Sequence, residues 1–136
     1  MNVKGSYKVI KWEEAPYENI SANSKLSKAS VEYQFTGEME GTARVEYLMF
    51  YSYFDPADPH DSKAAYAGLI RFEGKLLGRS GSFVMIDNGT FQDGAANSRL
   101  LIANGSGAGA LQGITGNGNY RADRSGYTIE LDYALP

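Results

Sequence analysis

Ser27-Lys28-Ala29-Ser30-Val31-Glu32-Tyr33-Gln34-Phe35 decides how the chain is read, because from Lys28 onward its polar and apolar residues alternate without a break. Side chains of an extended strand point to opposite faces in turn. Ala29, Val31, Tyr33 and Phe35 therefore share one face, and Lys28, Ser30, Glu32 and Gln34 the other. One face is core and one is wet, the pattern of an antiparallel sheet. Helical periodicity is hard to find elsewhere, whereas this alternation recurs between Gly, Asn and Asp punctuation.

Counting outward, the punctuation predicts strands near residues 3–12, 27–36, 42–53, 64–75, 80–87, 96–104, 115–122 and 126–134. Eight strands of this length can close on themselves. The expected fold is an all-β, closed eight-stranded antiparallel meander barrel in a single domain spanning residues 1–136, with no linker, repeat or composition shift to divide it. The sequons at Asn19, Asn88 and Asn104 read as turns, since Asn-Gly is the commonest tight-turn dipeptide.

A formal net charge of −3 offers no extended basic field, which argues against nucleic acid as a partner. Without cysteine there is no disulfide, thiolate nucleophile or thiolate metal site. Met1 to Tyr7 lacks the apolar run of a signal peptide and no segment reads as a membrane span, so cytoplasmic residence and no membrane partner are expected.

A symmetric hairpin around the loop from Asp55 to Asp61 pairs Tyr47 with Ile70, Met49 with Gly68 and Tyr51 with Tyr66, and on the other face Glu46 with Arg71 and Leu48 with Leu69. A slip of two residues would change partners and preserve faces. A tight turn at Leu77-Gly78-Arg79 carries Phe83 and Met85 onto the face of Ile70 and Phe72. That wall, with Val31, Tyr33, Phe35, Val45 and Tyr47, is the expected interior. The opposite face gathers Leu48, Phe50, Leu69, Val84 and Ile86, too apolar to be left wet. Either Trp12 to Ile20 covers it, or it is a subunit interface, with a homodimer favoured.

The familiar catalytic patterns are missing. His60 is the only histidine, and the acids around it, Asp55, Asp58 and Asp61, lack the spacing of a calcium loop, so no metal site and no cofactor is expected. The run from Asn104 to Gly113 is glycine-rich but has no P-loop lysine and reads as a long connection. Gly78 to Ser82 lacks the closing glycine of a nucleophile elbow. Glu32, Glu46, Glu73, Glu130 and Asp132 all fall on the outer face; only if the faces are reversed do Glu46 and Arg71 become buried partners and catalytic candidates.

Ten tyrosines stand out. Tyr33, Tyr47, Tyr51 and Tyr66 fall on the inner wall, Tyr120 and Tyr133 join them, and Phe72 and Phe83 complete a candidate ligand-binding set. Each tyrosine offers an apolar ring with a polar tip, suited to a cavity that grips an apolar ligand and orients it by a few hydrogen bonds. The plainer alternative is that these rings fill the barrel.

The stretches Phe35 to Gly41, Glu46 to Met49, Arg71 to Gly74, Gly78 to Val84, Gly89 to Phe91 and Gly105 to Leu111 occur in the order seen in a bacterial family of short proteins, domain of unknown function 3224, which the chain resembles over nearly its whole length. The resemblance implies a barrel like that of allene oxide cyclase, lipocalin-like in shape. It implies no activity, because folds host unrelated functions. Ala108 stands where the family's glycine-rich stretch usually has threonine, so no role of that hydroxyl carries over.

Three functional readings follow. The first is a non-catalytic barrel for a small, mostly apolar ligand. The second is an isomerase or cyclase using a barrel carboxylate, Glu46 first in line. The third, compatible with both, is an oligomerisation or interaction module.

Overall fold

The computed structural model describes residues 1–136 and contains nine strands: β1 (Asn2–Asn19), β2 (Lys25–Gly37), β3 (Met39–Tyr53), β4 (Lys63–Leu76), β5 (Arg79–Gln92), β6 (Ala95–Ile102), β7 (Ala108–Gly109), β8 (Thr115–Asp123) and β9 (Gly126–Ala134). All pairings are antiparallel, and eight strands close a ring in the order β1-β2-β3-β4-β5-β6-β8-β9, with β9 returning to β1. The two-residue β7 sits outside that ring and pairs with Gly81 and Ser82 of β5. The predicted barrel is present, and each predicted segment is one of its eight long strands. No helix is long and apolar enough to cross a membrane.

Alternation settles the faces as expected. Ala29, Val31, Tyr33 and Phe35 are buried, and so are Val45, Tyr47, Ile70, Phe72, Phe83 and Met85. The β3–β4 register differs from the symmetric hairpin by two residues: Tyr47 faces Gly68, Met49 faces Tyr66, Tyr51 faces Ala64, Glu46 faces Leu69 and Leu48 faces Ala67. The connection is asymmetric because Ser52 bulges out of β3, and the observed register also sets a glycine beneath the Tyr47 ring. A Cβ on Gly68 would lie 2.6 Å from both the Glu46 carbonyl oxygen and Tyr47 Cδ1.

Two further expectations change. Asn88-Gly89 is not a turn, since both residues lie inside β5; the tight turn is Asp93-Gly94, where both φ angles are positive, as a two-residue hairpin loop requires. Gly89 points inward and leaves the space that the Tyr66 hydroxyl and Ser98 occupy. Nor does Trp12 to Ile20 cover the outer face: β1 continues to Asn19, with Trp12 opposite Val31 and Asn19 opposite Lys25. A bulge at Ile10 switches the inward parity of β1 and brings Trp12 beside Tyr47, ring centroids 6.4 Å apart. Leu48, Phe50, Leu69 and Ile86 therefore stay exposed, joined by Leu101, while Val84 is half covered by the loop that delivers the Ser106 hydroxyl to its N–H.

The barrel's interior has two halves. At one end Phe35, Phe72 and Phe83 pack ring to ring, with centroids 5.7 Å and 5.2 Å apart, among Met39, Ile70, Leu76 and Leu131. The glycine-rich connection closes this end by burying Leu111 and Ile114. Towards the other end tyrosines replace the phenylalanines. Gly68→Ala should cost about 1–3 kcal/mol in urea unfolding, because one added methyl meets both backbone and a pinned ring. Gln34→Ser, on the exposed outer face of β2, should stay within about 0.5 kcal/mol.

Candidate functional site

The open half of the barrel encloses a cavity of about 520 Å³. Of the sequence-predicted ligand residues, Tyr33, Tyr47, Tyr51, Tyr66 and Tyr120 line it. Phe72, Phe83 and Tyr133 do not; they belong to the packed half, because the closed end draws them in with Leu111 and Ile114. Tyr7, Trp12, Phe54, Phe91 and Tyr127 supply further aromatic wall, and His60 with the β8–β9 hairpin forms part of the rim.

At the floor the phenol hydroxyls meet one another. Tyr33 and Tyr47 hydroxyls lie 2.9 Å apart, Tyr47 and Tyr120 3.0 Å apart, Tyr120 donates to Tyr66 at 3.0 Å, and Tyr66 meets Ser98 Oγ at 2.6 Å. Five strands contribute to this ladder: β2, β3, β4, β6 and β8. A buried hydroxyl without a partner costs free energy, and inside a barrel the partner must come from another inward-facing position.

The ladder ends on Asp87. The Tyr47 hydroxyl donates to Asp87 Oδ2 at 2.9 Å, while Oδ1 is buried with no partner at all. The residue is 0% exposed. Burial pushes its carboxyl from 3.8 up to about 6, and the nearby hydroxyls of Ser98, Tyr47 and Tyr120 offset only part of that. The same burial raises the phenols of Tyr7, Tyr33, Tyr47, Tyr66 and Tyr120 above their ordinary value.

Each hydroxyl has one proton to give. If Tyr47 donates to Asp87 and Tyr120 donates to Tyr66, the 3.0 Å contact between Tyr47 and Tyr120 has none. Protonating Asp87 reverses the first bond and frees the Tyr47 proton for Tyr120. The neutral acid completes the ladder, and the carboxylate leaves two oxygens facing each other.

Asp87 was absent from the candidates drawn from sequence, although the signal was present. Phe83 and Met85 face inward, and Asp87, the last residue of the predicted segment 80–87, has the same parity. Glu46 and Arg71, the reserve candidates, lie on the outer face. Glu46 accepts from Ser30 Oγ at 2.6 Å, and Arg71 pairs with Glu73 at 3.4 Å rather than with Glu46. Asp55 and Asp58 accept from N–H groups of their own loop, at Ala57 and His60. No three His, Asp or Glu side chains converge as metal ligands would.

Asp87 holds its proton more tightly in the folded protein than in the unfolded chain. Its contribution to stability is therefore complete below its unfolded value of 3.8 and is lost as pH rises through about 6. Comparing native protein with Asp87→Asn in urea at several pH values should expose this. Moving from about pH 4 to about pH 8 should shift the difference in unfolding free energy by about 2 kcal/mol in favour of the variant.

A structure of a protein of unknown function from the DUF3224 family of Shewanella oneidensis MR-1 has a TM-score of 0.73 at 24% identity, over 100% of this chain and 98% of that one. A second structure, of a protein named pyocyanin demethylase, has a TM-score of 0.56 at 10% identity, over 98% of this chain and 100% of that one. Likeness at these identities speaks for the fold alone. No curated protein matches the chain. The family model described as "Protein of unknown function (DUF3224)" matches residues 3–133, nearly the whole length, and the chain belongs to that family.

Proposed function

We propose that the protein is a small-molecule binding barrel whose ligand enters the open half and seats a polar group on the hydroxyl ladder. The observation that carries this reading is the cavity of about 520 Å³, within the range of small-molecule sites, with aromatic walls and a cluster of converging hydroxyls at its floor. A barrel built only for stability would gain by filling that volume, as the other half does with Phe72 and Phe83. Ser62 strengthens the reading, because its buried Oγ has no partner and the residue lines the cavity wall. A structural neighbour named for acting on pyocyanin is consistent with a barrel of this shape receiving a small molecule.

The isomerase reading placed on Glu46 has no support, since that carboxylate faces away from the cavity. The exposed row Leu69, Ile86 and Leu101 supports a second, compatible proposal, a homodimer packed through this face. A two-fold axis along the strands between β4 and β5 would set Leu69 of one copy against Ile86 of the other. Light scattering should give twice the monomer mass for native protein and the monomer mass for Leu69→Glu; a native monomer at high concentration contradicts it.

Trp12, the only tryptophan, reports on the cavity directly. Naphthol should change its emission saturably, and Ala122→Phe, which fills the cavity from β8, should weaken that binding by about tenfold or more. A native protein whose Trp12 emission does not respond, or a filled variant that binds equally well, would overturn the reading.

A further inference from the structure

A buried carboxylate is tolerated when something compensates its charge. The chain gives Asp87 no such partner. The titratable and polar groups that face it are Tyr7 on β1, Tyr33 on β2, Tyr47 on β3, Tyr66 on β4, Ser98 on β6 and Tyr120 on β8, none of them a cation. Of the three ion pairs of the molecule, Lys11–Glu13 and Arg71–Glu73 lie on the exposed outer face and Arg121–Asp123 at the rim of the cavity, away from Asp87. Oδ1 of Asp87 has no hydrogen-bond partner, and the ionised form sets the Tyr47 and Tyr120 oxygens against each other.

The space above this floor is walled by aromatic side chains, a residue type whose π-electrons attract positive charge at the ring face. One cation of the chain already uses part of that surface: Lys25 Nζ lies 3.5 Å from the Phe54 ring centroid and 5.0 Å from that of Tyr51. Around the mouth, Asp58, Asp61, Asp93 and Asp123 stand against Arg121, Arg124 and Lys25, with Arg121 held by Asp123 and Lys25 held on the Phe54 ring. The local field favours the approach of a positive ligand.

We propose that the ligand of this cavity is an organic cation, a flat and largely apolar ring system with a positive nitrogen that supplies the counter-charge Asp87 lacks. The proposal rests on the cavity reading given above and adds the sign of the ligand's charge. Asp87 does not line the cavity. It acts through Tyr47, whose proton it holds, so that the Tyr47 and Tyr120 oxygens present lone pairs to the ligand. A negative ligand would place a second anion over the same floor, and a neutral one would leave Asp87 uncompensated.

Three probes of similar shape separate these outcomes by calorimetry at about pH 8: N-methylquinolinium, methylnaphthalene and naphthoate. The cation should bind about tenfold tighter than the neutral hydrocarbon, with naphthoate weakest. In Asp87→Asn the cation should lose about tenfold, while methylnaphthalene changes by about twofold or less. Native protein supplies an independent readout should that variant fold poorly. The cation's advantage should shrink as pH falls through about 6, where Asp87 takes up its proton, and His60→Gln at the rim should leave that profile unchanged. Equal affinities, a preference for naphthoate, or a cation preference indifferent to both Asp87→Asn and pH would overturn the proposal and leave the cavity reading standing. Failure of all three probes to bind native protein would overturn both.

Discussion

Closing eight strands into a ring fixes the cross-section of the interior, and the rest of the molecule answers to that constraint. Every second residue must project into a lumen of set width, whatever its chemistry. At the closed end the chain fills the lumen mainly with apolar side chains, Phe72, Phe83, Met85 and Leu131, and the Tyr133 hydroxyl is buried there without a partner. Tyrosine rings fill the middle equally well, but each brings a hydroxyl that is shut away from water. Those hydroxyls satisfy one another across the barrel, and Asp87 terminates the series. The polar floor of the cavity is thus the cost of passing from phenylalanine to tyrosine along the barrel axis.

Much of this was legible in the residues. The alternation from Lys28 to Phe35 gives the strand period, and the same parity carried along β3, β4 and β5 separates interior from exterior correctly. The two-residue slip of β3 against β4 was not legible, because it depends on a bulge at Ser52 and on a glycine lying under one particular ring. The course of Trp12 to Asn19 was hidden for a similar reason. A bulge at Ile10 exchanges inward and outward positions in β1, and nothing in the local pattern marks it.

Asp87 is a different kind of omission. Its parity was available, but a polar residue on an apolar face is easily taken for the end of a strand, above all when Asn-Gly follows. Gly89 is needed for close approach rather than for turning, since it leaves room for the Tyr66 hydroxyl and Ser98. A dipeptide with two physical uses cannot be assigned from its spelling. Which ring would lie over it depends on β4 and β6, strands distant in sequence.

The hydroxyl ladder also bears on how the molecule assembles. Its members are separated along the chain by gaps as wide as the 73 residues between Tyr47 and Tyr120, and β8, which carries Tyr120, is held in the ring partly by β9. That strand reaches β1 only where the chain ends meet, Asn2 beside Asp132 and the Met1 amino group on the Tyr133 carbonyl. Such distant pairings carry the largest loop-closure entropy and form slowly. A chain that has folded β1 through β5 already possesses Asp87 and three of the phenols, yet it has no binding floor. Recognition in this protein is a property of the finished ring, and a partly folded molecule has no means of holding its ligand.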